Sequence, residues 1–378
     1  MKASPDEFPS STAGLPEARS PDLLELANGH RFDLRIAPVA KGLRGAVVRM
    51  LAYNGSIPGP TLRVQQGSEL VVDVVNEGDL DATVHWHGLR LENRYDGTAR
   101  TQRPIPVGGR FTYRLTFPDP GVYWYHPHVR EDYGQEMGLY GSIVVVPSDP
   151  DYWPPVDREL VLTLDDVLLE DDQVAPFSRS GPTFAAMGRF GNVLLVNGEP
   201  DLSLAARRGE VLRLYLTDTA NTRVFNVGLR GARMKLVGGD SGRIEREELV
   251  ESVRISPSER AVVDVLLEGP GQVTLEHRTP DRTYPLATIT VADEQEGPSR
   301  APSFGSLRAN PDMVAERARL ARYLDAEPDK TLALVAEMDM GQPALPPGAR
   351  VAYVCPMHAE VISEKPDRCP KCGMKLMA

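Results

Sequence analysis

Four of the seven histidines in this chain stand in two pairs with one-residue gaps, His85-Trp86-His87 and His126-Pro127-His128. Successive side chains of a β-strand alternate faces, so each pair aims both imidazoles at the same side. Neutral imidazole nitrogen is a ligand for copper, zinc, iron and nickel, and rigid strand placement lowers the ordering entropy that binding costs. One such pair is weak evidence. Two of them, 41 positions apart on strands predicted to be adjacent, read as two prongs of a metal claw. The competing reading is a sandwich rim where polar histidines border the packed aromatics Tyr123, Trp124 and Tyr125. Pro127 has no N–H to give a β-ladder, which favours an edge position for the second pair.

A second constellation lies at the far end of the chain. Cys355, His358, Cys369 and Cys372 follow the spacing C-x2-H-x10-C-x2-C. Three thiolates and one imidazole suit a tetrahedral soft-metal site, with zinc the default occupant, while Met357 and Met374 add thioethers that favour Cu(I). Structural zinc and a heavy-metal sensing or delivery role are both compatible with this set. Pro356, Pro370 and Gly373 supply the turns, and so short a module needs its metal to fold. The chain has three cysteines, all in its last 24 residues, which excludes a disulfide framework for the main body. A Cys369–Cys372 disulfide is the alternative in an oxidising compartment.

The elements that must position these residues are short and numerous. With 33 Gly, 33 Pro and many Val/Leu/Thr runs, the composition predicts an all-β protein. Residues 1–29, rich in Ser, Pro and Glu, are expected to be a flexible arm. From 30 to 149, runs such as LVVDVVN, ATVHWHGL, FTYRLTF and GSIVVVP, separated by NGS, PGP, DG and DPG turns, predict a Greek-key β-sandwich. A second sandwich is expected over 150–295 and a linker over 296–350. The linker should carry one amphipathic helix, capped by Asn310 with Pro311 in its first turn, and a strand at TLALVAEMDM. The metal-knuckle tail is 351–378.

A formal net charge of -11 argues against a nucleic-acid partner, since phosphate binding needs a basic face. No stretch has the roughly 18–20 apolar residues that cross a bilayer. The N-terminus lacks a secretory apolar core, so the expected location is the cytoplasm, or beyond it if a leader has been removed.

The segments NGSIPGP (54–60), HWHGLRLENRYDG (85–97), TQRPIPVGG (101–109), GVYWYHPH (121–128) and GLYG (138–141) closely resemble the first cupredoxin domain of the multicopper oxidases. That family contains laccase-like, copper-resistance and bilirubin oxidases. LLVNGEP (194–200), the run from 207 to 227 and ISPSERAVVDVLL (255–267) are similar to its second cupredoxin domain. The link VREDYGQEM after His128 is longer than the family's usual one. The tail resembles the small heavy-metal-binding domain of heavy-metal efflux proteins, through CPMHAE and CPKCGM.

The resemblance implies that His85 serves a type 2 copper and that His87, His126 and His128 serve a type 3 pair. It makes Asp96 a carrier of protons for O₂ reduction, the alternative being a turn-former before Gly97. It also implies oxidation of a phenol or metal ion with O₂ as acceptor. The family's remaining ligands, in HPxHxH and HCHxxxxxH motifs, do not occur here, and only His30, His277 and His358 lie outside the two pairs. EPDKTLALVAEMDM is similar to the opening of the family's last domain. The expectation is therefore a copper-binding chain without turnover alone; the alternative is a copper or heavy-metal handling protein.

Overall fold

A computed structural model describes residues 8–177, 184, 187–294, 299–332, 351–355, 358 and 360–377. The chain divides into two compact units, Met1–Arg179 with Arg189–Ala326, and Ser180–Gly188 with Glu327–Ala378.

The larger unit is all-β in its body and holds two sandwiches. In the first, β1 (Leu23–Leu26), β2 (Arg31–Leu43), β3 (Ala46–Tyr53), β4 (Gly59–Gln65), β5 (Glu69–Asn76), β6 (His85–His87), β7 (Arg110–Thr116), β8 (Gly121–His126) and β9 (Gly141–Val146) form two sheets. Their orders are β3-β2-β5-β7 and β1-β4-β9-β8-β6. Alternating residues such as Leu70, Val72 and Val74 of β5 and Tyr113 and Leu115 of β7 turn inward to the core between them. The second sandwich spans Arg158 to Ala292, with a six-stranded sheet facing a five-stranded one. Its core is built from residues such as Leu214, Phe225, Val263 and Ile289.

Strand β8 shows why the two sandwiches form one unit. All six of its residues are buried. Tyr123 and Tyr125 point into the first core, whereas Trp124 packs with Val167, Val193 and Leu195 of the second sandwich, and Val122 packs with Trp153, Tyr215 and Val262. Both faces of the strand are thus covered, and His126 has the parity of the face turned toward the second sandwich.

The N-terminal arm departs from the sequence reading. Phe8 stacks on Tyr133 with ring centroids 3.6 Å apart, Glu17 and Arg19 bridge to Ala40 and Ser56, and β1 pairs in parallel with β4. Leu24 and Leu26 pack against the first core, an i, i+2 pair that the surrounding Ser, Pro and Glu conceal in composition. Part of the expected linker is packed as well: Phe304 is buried against Val211 and Leu266. The helix at Pro311–Leu320 is present, but the Asn310 amide donates to the Ile244 carbonyl instead of capping it. The strand expected at TLALVAEMDM lies outside the described residues except for Thr331 and Leu332, which are not in a strand. Among the described residues no helix is long and apolar enough to cross a membrane.

Candidate metal centres

Strand β6 has three residues and sits at the sheet edge beside β8. Its register places His85 directly opposite His126 and His87 opposite Trp124. Trp86 turns into the core against Tyr113, which leaves His85 and His87 on the other face. The edge therefore belongs to the first pair, not to the second. Strand β8 ends at His126, so Pro127 removes no ladder bond. His128 consequently reaches the site from a bend, not from the strand pleat, and its backbone N–H donates to Thr83 Oγ1 at 3.1 Å.

The four rings converge. Ring centroids lie 5.4 Å apart for His85 and His126, 4.8 Å for His85 and His128, and 5.2 Å for His126 and His128. Ligand nitrogens of His85, His126 and His128 all fall within 4.8 Å of one another. His87 joins through Nδ1, 3.4 Å from His126 Nε2. His126 is buried and stacks on Trp124 at 4.0 Å.

Backbone carbonyls set two of the tautomers. His85 Nδ1 is 2.6 Å from the Asp96 carbonyl and His126 Nδ1 is 3.0 Å from that of Pro127. A carbonyl can only accept, so Nδ1 carries the proton and Nε2 keeps its lone pair for a metal. Burial depresses the basicity of His85 despite the nearby Asp96, and drives His126 well below the ordinary imidazole range. Burial, followed by the Arg260 guanidinium, takes His87 down to about 3. Neutral rings with aligned lone pairs are the form that binds a metal.

Asp96 acts here chiefly through its backbone: its carboxylate oxygen stands 3.7 Å from His85 Nδ1, farther than its carbonyl. The turn depends on Gly97, at φ +81, where an added Cβ would lie 1.8 Å from the Val84 carbonyl oxygen. Gly97→Ala is expected to cost at least about 1–3 kcal/mol of stability and to weaken metal binding by moving the Asp96 carbonyl. Urea denaturation paired with copper titration checks both effects.

Three neighbours escaped the sequence reading. Arg260, buried in the second sandwich, would meet a Cβ on Gly88 at 2.5 Å and carries its charge toward His87. No sequence signal links those positions. Thr83 was equally silent. Glu131 stands three residues after His128, a spacing that does mark it. His277 has a packing role on the second sandwich: it is buried, its Nδ1 accepts from the Asn226 N–H at 3.1 Å, and its ring stacks on Tyr284. His30 is exposed.

The smaller unit forms its own centre. Cys355, His358, Cys369 and Cys372 have ligand atoms within 4.8 Å of one another. The Cys355 and Cys369 sulfurs lie 3.7 and 3.6 Å from His358 Nδ1, and Cys355 and Cys372 are 3.6 Å apart. Two turns present them. In one, the Val361 N–H donates to the His358 carbonyl; in the other, Gly373 at φ +76 lets the Cys369 N–H reach the Met374 carbonyl. Desolvation raises the Cys369 thiol, but bonds from the Lys371 and Cys372 backbones outweigh it and bring the group down to about 6. This donor set fits a soft tetrahedral ion. Met374 is half-buried, and Met357 lies outside the described residues.

Comparisons with known proteins match both the first sandwich and the tail. A family model described as multicopper oxidase matches residues 39–150, and one described as heavy metal binding domain matches 352–378. The chain is 31% identical to multicopper oxidase MmcO of Mycobacterium tuberculosis, covering 62% of this chain and 51% of that protein. It is 26% identical to copper resistance protein A of Pseudomonas syringae pv. tomato, covering 71% and 51%. The chain thus spans about half the length of these curated relatives. The crystal structure of a multi-copper oxidase from Pseudomonas thermotolerans superposes with a TM-score of 0.65 at 31% identity, covering 76% of this chain and 68% of that one. Lac15 from a marine microbial metagenome gives 0.60 at 31%, covering 71% and 69%.

Proposed function

From the premise that this chain belongs to the multicopper oxidase family, we propose that His85, His87, His126 and His128 bind copper as one half of a trinuclear centre. The observation that carries this reading is the convergence of four imidazoles with two tautomers set by backbone carbonyls. His85 is assigned to the type 2 position and the other three to the type 3 pair. Bound copper supplies the capacity to pass electrons to O₂, drawn from a phenolic or metal-ion substrate. The protein's own groups hold the rings, exclude water from His126 and, at Asp96, place a partly exposed carboxylate where a proton can enter.

Turnover needs more than these groups. A type 1 centre in this family uses a cysteine with two histidines, and the three cysteines of these 378 residues all belong to the tail cluster. We therefore assign copper binding, without oxidase turnover, to this chain by itself. Residues 351–377 hold a second soft ion, zinc or a heavier metal, through three thiolates and one imidazole. A copper-handling role without any oxidase partner is the second reading, favoured by that tail.

Copper titration followed by visible absorption and EPR tests the assignment. The expected result is nitrogen-ligated copper on the first sandwich without an intense blue thiolate-to-copper band and without laccase activity. An intense blue band with activity in the loaded chain would overturn it.

A further inference from the structure

We infer that Glu131 is a positioning residue that holds His128 in the tautomer a metal ligand requires; the inference rests on the copper reading of His128 given above. Two of the three most convergent rings, His85 and His126, receive their orientation from backbone carbonyls. His128 has a different partner. Its Nδ1 lies 3.2 Å from Glu131 Oε2. A carboxylate has only lone pairs to offer, so the proton belongs on Nδ1 and Nε2 is left bare for a metal. The negative charge also raises the electron density of the ring, the arrangement by which carboxylate–histidine pairs strengthen metal binding.

The local chain is built to keep that contact. Arg130 adopts a left-handed conformation at φ 46, ψ 53, a geometry that non-glycine residues rarely take, and reverses the chain immediately before the helix Glu131–Glu136. Glu131 thus starts the helix three residues after His128. The helix is pinned from behind by Tyr133, whose hydroxyl donates to Asp79 Oδ2 at 2.6 Å and whose ring lies under Phe8. Asp132, the neighbouring carboxylate, faces the Arg130 guanidinium at 2.9 Å. It therefore serves as a charge-matched control.

The test uses the full chain with its tail preloaded with zinc. Nitrogen-resolved NMR of the His128 ring is expected to show an Nδ1–H tautomer in the native chain and in Asp132→Ala, and a tautomer mixture in Glu131→Ala. Copper affinity of the first sandwich should fall about 10–100-fold in Glu131→Ala and stay nearly unchanged in Asp132→Ala. The inference is overturned if His128 keeps the Nδ1–H tautomer without Glu131, or if both variants weaken copper equally, which would mark a general charge effect. Should the native chain bind no copper while the tautomer still follows Glu131, the copper reading fails and the positioning contact stands.

Discussion

Replacing His126 with alanine is expected to lower the copper affinity of the first sandwich more than about 100-fold, beyond the roughly 10–100-fold that changes to a ligand's outer partners cause. His126 is the ring that links the others: His87 Nδ1 lies 3.4 Å from its Nε2, and its centroid lies 5.4 and 5.2 Å from those of His85 and His128. It is 3% exposed and stacked on Trp124, which holds the ring in one orientation. His128, whose side chain is 34% exposed, should give a smaller loss on the same substitution. Calorimetric titration with copper, on protein whose tail already holds zinc, measures both. Circular dichroism checks that the sandwich persists in both variants. Unchanged affinity in His126→Ala would sink the proposed centre.

The second large effect concerns the tail. Stripping its metal with a strong chelator, or substituting Cys369→Ser, is expected to unfold residues 351–377 and leave the larger unit's melting transition in place. The core of that module is Cys355, Cys369 and Leu376, backed by half-buried Tyr353 and Val361, with two two-residue strands at Tyr353–Val354 and Ile362–Ser363. So little apolar area cannot offset the chain entropy of ordering such a module. Structural zinc supplies on the order of 10–16 kcal/mol in modules of this kind. Hydrogen exchange across residues 351–377, with and without chelator, reads the outcome. Protection that survives complete metal removal would show that the module folds by packing, and its sulfur cluster would then be an accessory to the fold.

The extent to which these centres were legible differs residue by residue. The clustering of the four tail donors could be read outright, because their spacing makes a local object: Cys355, His358, Cys369 and Cys372 come together within one short module. His85 and His87 were legible through the period-2 pleat of a strand, and β6 obeys it. His128 was legible only by type. The pleat argument placed it on a strand with His126, but the chain leaves the sheet at Pro127, and the His128 N–H donates to Thr83 Oγ1 and so fixes the backbone at the bend. Composition misjudged the arm, since it averages over Leu24 and Leu26, whose alternation suffices to dock β1 on the exposed edge of β4. It also concealed Phe304, one aromatic in an acidic Gly/Pro stretch, which finds a buried site on the second sandwich.

What the sequence determined by itself is the chemistry on offer: imidazoles in pairs, thiolates at knuckle spacing, and alternating runs that make sandwiches. These are properties of residue type and of separations within a strand or a turn, where covalent geometry leaves few options. Tertiary structure alone decided which nitrogen of each ring faces inward and which groups surround it. His87 presents Nδ1 to His126, whereas carbonyl contacts at Nδ1 leave His85 and His126 to offer Nε2. Arg260 brings its charge to His87 from another sandwich, about 170 residues away along the chain. The field of Arg260 at His87 exists only once distant segments are packed together, and no separation along the chain encodes it.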